Sequence, residues 1–119
     1  MDVNIFFNND SEGWTPMHYA AKSGSLNIVL ALVSRGAGVD PPDNNGKSPL
    51  MVAIENNKAA VARSFIELGA DIELRDNLGR TPLLIACKAG SKDLVELLIG
   101  YKADIKVQTP LGDTCVSFA

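Results

Sequence analysis

Four glycines, Gly13, Gly46, Gly79 and Gly112, stand at equal intervals along the chain, and the residues after each vary one phrase. The third copy reads Gly79-Arg80-Thr81-Pro82-Leu83-Leu84-Ile85-Ala86. Before it come Gly13-Trp14-Thr15-Pro16-Met17-His18-Tyr19-Ala20 and Gly46-Lys47-Ser48-Pro49-Leu50-Met51-Val52-Ala53. A last copy, Gly112-Asp113-Thr114-Cys115-Val116-Ser117-Phe118-Ala119, follows. A period of roughly 33 residues marks an array of supersecondary units, each burying its apolar face on the next.

The phrase has a local physical reading. Asp10-Ser11-Glu12-Gly13, Asp43-Asn44-Asn45-Gly46 and Asp76-Asn77-Leu78-Gly79 are turn sequences. In such turns aspartate bonds backbone N–H groups ahead of it and glycine takes the positive φ. Thr15, Ser48 and Thr81 then stand as N-caps, each followed by proline at the first helical position, where its missing N–H is no loss. Short first helices are predicted over 16–23, 49–56 and 82–89, stopped by Gly24, Asn57 and Gly90. Second helices are predicted over 26–34, 59–67 and 92–99. Overlaying the copies gives their buried stripe as Ile28/Val61/Leu94, Val29/Ala62/Val95, Leu32/Phe65/Leu98 and Val33/Ile66/Ile99. That i, i+1, i+4, i+5 spacing fits one face of an α-helix and no strand. Gly36 and Gly69 end the first two of these helices, and Lys102 takes their place in the third.

With these features the units resemble ankyrin repeats, each a β-turn followed by two antiparallel helices. The family's T-P-L-H-x-A hallmark is matched best by Thr15-Pro16-Met17-His18-Tyr19-Ala20; Met51 and Leu84 replace the histidine, and Cys115 replaces the last proline. The resemblance covers nearly the whole chain from Asp10. It implies an all-α solenoid of stacked helix-turn-helix units joined by β-turn or hairpin fingers, forming a single domain over 1–119. Repeats are expected at 10–42, 43–75 and 76–108, with a partial fourth at 109–119. Residues 1–9 form an N-terminal extension or the remnant of a preceding repeat, with Ile5, Phe6 and Phe7 expected to fold over the first unit. Ala119 falls about one turn into a helix, so either Leu111 to Phe118 caps the stack or the array continues past it.

Little in the sequence carries chemistry. At 119 residues the chain has room for one ordinary domain, and its formal net charge of -3 argues against a dedicated nucleic-acid binder. The longest apolar runs, such as Ile28 to Val33, are too short to span a bilayer, and no secretory signal pattern opens the chain. The expected location is intracellular, cytoplasmic or nuclear. Cys87 and Cys115, the only cysteines, are expected as buried free thiols in a reducing compartment. A structural zinc takes four ligands, and the chain has one histidine. That histidine, His18, could serve as a general base or metal ligand. The resemblance instead implies a scaffold role, with the ring tying the turn to the helix start through a bond to Thr15. Gly36-Ala37-Gly38 lacks the third glycine and the preceding strand of a dinucleotide loop. No catalytic residue, cofactor or metal is expected, and the chain is read as no enzyme. Some ankyrin repeats are hydroxylated on an asparagine after the second helix; Asp40, Glu73 and Lys106 occupy the matching positions here, so that modification does not carry over.

What remains is surface. In arrays of this kind the turn tips and first helices line a concave face where partners bind. Candidate partner-binding residues are those that change from copy to copy while the frame repeats. After the turn glycine these are Trp14, Lys47 and Arg80, and before it Glu12, Leu78 and Leu111. Near the ends of the first helices they are Lys22, Glu55 and Lys88. Trp14 stands where its counterparts are charged, which predicts an exposed hot-spot side chain; the alternative is packing on Phe6 or Phe7. The function expected is a protein-interaction module for a protein or peptide, with no nucleic acid, membrane or small-molecule ligand. The alternative is a regulatory or targeting segment of a larger enzyme or channel, since a fold says nothing of an attached activity.

Overall fold

A computed structural model describes residues 13–103. Six α-helices are found among the described residues: α1 (Pro16–Ser23), α2 (Leu26–Ser34), α3 (Pro49–Glu55), α4 (Ala59–Glu67), α5 (Pro82–Ala89) and α6 (Lys92–Gly100). They form three antiparallel pairs. The first helices α1, α3 and α5 stack in one layer and the second helices α2, α4 and α6 in another. The expected pattern of helices is thus present, with α3 ending one residue earlier than expected and α6 one residue later.

Each first helix starts at its capped proline. Ser48 Oγ accepts from the Met51 N–H at 3.4 Å, and Thr81 Oγ1 from the Leu84 N–H at 3.4 Å. These bonds satisfy N–H groups that the helix itself leaves without partners. The stops follow a shared backbone geometry. Gly24 (φ 73°), Asn57 (φ 57°) and Gly90 (φ 74°) occupy equivalent left-handed positions. Lys102 (φ 68°) does after α6 what Gly36 and Gly69 do after α2 and α4.

The core runs through the stack as a continuous strip. α3 is sandwiched between α1 and α5, so Pro49, Leu50, Met51, Val52, Ala53 and Ile54 are all buried. In the other layer Val29, Val61, Ala62, Phe65, Leu94 and Leu98 are buried, as the stripe predicts. Leu32, Val33, Ile66 and Val95 are half-buried, and two stripe positions are exposed. Ile28 is 51% exposed, whereas its counterparts Val61 and Leu94 are 1% and 0% exposed. Their helices α4 and α6 each pack on the second helix of a preceding pair, and no described helix pair precedes α1 and α2. Ile99 is also exposed, on the pair at the other end of the described stack.

Candidate functional site

The fingers are the stretches leading into α1, α3 and α5, and in the second and third the geometry comes from buried carboxylates. In the second finger Asp43 Oδ1 accepts the N–H groups of Asn45 and Lys47, both at 2.8 Å. Its backbone N–H donates to the Lys47 carbonyl at 2.9 Å, and its carbonyl accepts from Gly46 at 3.0 Å. Asp76 repeats this in the third finger, taking the N–H groups of Leu78 (3.0 Å) and Arg80 (2.9 Å) on its Oδ1. A carboxylate that accepts several N–H bonds fixes the turn before any ligand arrives.

Successive fingers are also tied to one another. The Asn77 backbone N–H donates to the Asn45 carbonyl at 2.9 Å, and its side-chain amide donates to the Asn44 carbonyl at 3.0 Å. The approach is so close that a Cβ on Gly46 would stand 2.5 Å from Asn77 Oδ1 and 2.9 Å from its backbone N. Gly46 therefore serves two needs at once, a φ of +75° and room for the neighbouring finger.

The slot after each turn glycine points inward more than the sequence suggests. Trp14 is half-buried rather than exposed. Its indole N–H donates to Asp43 Oδ2 at 3.0 Å, bridging the first finger to the second. The ring stacks on His18 at 5.9 Å and meets Tyr19 edge-on at 5.0 Å, with the Lys22 ammonium 5.7 Å from its centroid. Arg80 makes the corresponding contact within its own finger, placing Nε at 2.9 Å and Nη2 at 2.8 Å from Asp76 Oδ2. Lys47 reaches along α3 to Glu55, at 3.1 Å. So the second oxygen of Asp43 and of Asp76 is filled by a slot residue, from the previous unit in one case and the same unit in the other. The sequence signal that was missed is this coupling between the slot and the turn carboxylate.

His18 is fully buried and both its ring nitrogens are engaged. The Thr15 backbone N–H donates to Nδ1 at 3.1 Å, and the Thr15 hydroxyl lies 3.0 Å from the same nitrogen. A backbone N–H can only donate, so Nδ1 is the bare acceptor and Nε2 carries the proton. Nε2 then donates to the Lys47 carbonyl at 2.9 Å, across the boundary between the first two helix pairs. The bond to Thr15 is the one the resemblance implies.

Of the remaining candidates, Leu78 is 65% exposed at the tip of the third finger, and Lys22, Glu55 and Lys88 are exposed at the ends of α1, α3 and α5. Glu12 and Leu111 lie outside the described residues, as do Phe6, Phe7 and the partial fourth unit. Cys87 requires a correction: its sulfur is in a disulfide, not a free thiol. The step from free thiols to a reducing compartment therefore falls away. Among the described residues no group of three or more His, Cys, Asp or Glu could hold a metal ion, and no helix is long and apolar enough to cross a membrane.

One carboxylate outside the fingers is under electrostatic stress. Asp40 Oδ2 accepts the Asp71 N–H at 3.0 Å, while its Oδ1 is buried with no hydrogen-bond partner. Burial, and secondarily the nearby Asp71 charge, push the Asp40 carboxyl above its ordinary value of 3.8, against the opposing effect of the Asp71 N–H. A carboxyl raised in this way holds its proton more tightly folded than unfolded. The stability it contributes is therefore greatest at acid pH and declines as pH rises from about 3.8 through the folded value. Asp40→Asn keeps an acceptor for Asp71 and removes the charge. It is expected to raise the denaturation midpoint at neutral pH and to lose that advantage in acid. A gain that persists unchanged below the ordinary carboxyl range would contradict this account.

The chain matches the family model described as Ankyrin repeats (3 copies), over residues 1–76 and again over 35–109.

Proposed function

Because the chain belongs to the ankyrin-repeat family, we propose that it is an interaction module that holds a partner protein or peptide on the face made by its finger tips and first helices. The members of this family are in general protein-interaction modules. Within that reading, the observation that carries the choice of face is Leu78. A leucine 65% exposed at a turn tip has no use in the core. Its turn is nonetheless held rigid by Asp76, through the bonds to the Leu78 and Arg80 N–H groups and to the Arg80 side chain. A rigid apolar tip loses little conformational freedom on binding, which is how preorganised contacts gain affinity. Lys22, Glu55 and Lys88, exposed in the last turns of the first helices, would orient the partner. Trp14 and Arg80 support the face from beneath through their bonds to Asp43 and Asp76. No reaction is assigned to the chain.

The test compares proteins captured from a lysate by the wild-type chain, by Leu78→Asp and by Arg63→Glu, which alters the exposed surface of α4. Leu78→Asp is expected to lose about tenfold or more of specific capture, as removal of an interface anchor does. Arg63→Glu is expected to retain it. Circular dichroism shows whether both variants stay folded. Equal capture by all three chains would remove the basis for this face.

A further inference from the structure

We propose that the segment held on this face is an extended acidic peptide, gripped by Lys22 and Lys88 with Leu78 as the apolar contact. The proposal rests on the concave-face reading above and adds the chemistry of the partner. It comes from asking which charges on the face are already used. Arg80 is paired to Asp76, whose carboxylate is buried. Asp43 is buried as well, with its oxygens filled by the N–H groups of Asn45, Lys47 and Trp14. Glu55, the one exposed acid in the row, is neutralised by Lys47.

Lys22 and Lys88 are left without an acidic partner; the Lys22 ammonium lies 5.7 Å from the Trp14 ring centroid, a contact that does not neutralise its charge. Each sits in the last turn of its helix, α1 and α5, at the register position that Glu55 holds in α3. Both are exposed, and no carboxylate among the described residues pairs with either. The exposed acids of the described residues lie elsewhere: Glu67 on α4, Asp93 and Glu96 on α6, and Asp71 and Glu73 in the passage after α4. Although the chain is acidic overall, the face of the first helices is positive where it is unsatisfied. A cation near a helix C-terminus also complements the helix dipole, which explains why lysine is tolerated there. It does not neutralise either ammonium group.

The spacing sets the partner's form. Packed helices lie about 8–10 Å apart, so the first and third in a row are about 16–20 Å apart. An extended chain rises about 3.3 Å per residue, so about five or six residues separate two carboxylates that reach both lysines at once. Two isolated cations at this distance suit a pair of acidic side chains better than the closely spaced phosphates of a nucleic acid.

The experiment is a selection of random ten-residue peptides, displayed on phage, against the immobilised full chain at low salt. It is run in parallel on the Lys22→Glu/Lys88→Glu double variant, on Lys92→Glu as a control on exposed α6, and on Leu78→Asp. The expected result is enrichment of Asp and Glu at two positions about five or six residues apart, with capture falling about tenfold for the double variant and unchanged for Lys92→Glu. Recovered peptides without acidic enrichment, whose capture still depends on Leu78, would overturn the acidic partner and leave the face standing. Capture indifferent to Leu78→Asp and to the lysine reversals, or no recovered peptide at all, would overturn both. A loss of capture in Lys92→Glu as large as in the double variant would reduce the effect to net charge and overturn the role of the two lysines.

Discussion

Replacing Phe65 by alanine is expected to lower the unfolding free energy by about 3–5 kcal/mol, the range for deleting a buried aromatic side chain. Phe65 is 0% exposed, on α4 in the middle helix pair, and α4 packs against α2 on one side and α6 on the other. The cavity would therefore be walled by packed helices that cannot close over it without breaking the stack. In a linear array the stability of each unit depends on its neighbours, so a weakened middle pair also loosens both flanking pairs. The same register position in the first pair is Leu32, which is only half-buried. Leu32→Ala is therefore expected to lose clearly less. The check is urea unfolding of both variants followed by far-ultraviolet circular dichroism, comparing midpoints and slopes. Equal losses at the two positions would mean that burial along the stack is not graded as the structure has it.

The contrast between Phe65 and Leu32 also marks how far the sequence could be read. Everything governed by contacts within a few residues was legible. The turn carboxylates Asp43 and Asp76, the caps Ser48 and Thr81, and the left-handed stops at Gly24, Asn57 and Gly90 follow from local backbone chemistry, and repetition made each reading firm. The interior stripe was legible for the same reason in its buried members, whereas Ile28 and Ile99, on the end pairs of the described stack, are exposed and Leu32, Val33, Ile66 and Val95 are half-buried.

The side chains in the variable slot were not legible, because their partners are chosen by geometry between units. The Trp14 indole bonds to Asp43, 29 residues on, while Arg80 satisfies the aspartate of its own turn. Both answers solve one problem, the second oxygen of a buried carboxylate, and no periodicity distinguishes them. The stress on Asp40 is of the same kind, since it arises first from burial between units, with the charge of Asp71 in the next unit adding to it. The slot thus changes meaning. Trp14 and Arg80 hold turn carboxylates, and on the proposed reading the residues left to meet a partner are those whose charge or apolar surface the frame does not consume.

His18 tests that division between support and contact. Its removal in His18→Ala is expected to cost about 2–4 kcal/mol of stability, the sum expected when a buried bonding pair is broken and two polar groups lose their partner. The Thr15 N–H would lose Nδ1, the Lys47 carbonyl would lose the Nε2 proton, and Trp14 would lose the ring on which it stacks. Two of these three losses act on the boundary between the first and second fingers, because Lys47 lies in the second and Trp14 also bonds to Asp43. The effect should therefore exceed what the lost apolar area alone would give. Urea titration of His18→Ala beside Trp14→Phe separates the contributions. The phenylalanine variant keeps an aromatic ring while removing the indole N–H to Asp43 and part of the ring area, and it leaves both His18 bonds in place, so it should lose less. A His18→Ala variant as stable as wild type would show that the imidazole is not a structural tie. Its two nitrogens would then have to be reconsidered for chemistry, a role the observed bonds leave no room for, since Nδ1 is taken by Thr15 and Nε2 by Lys47.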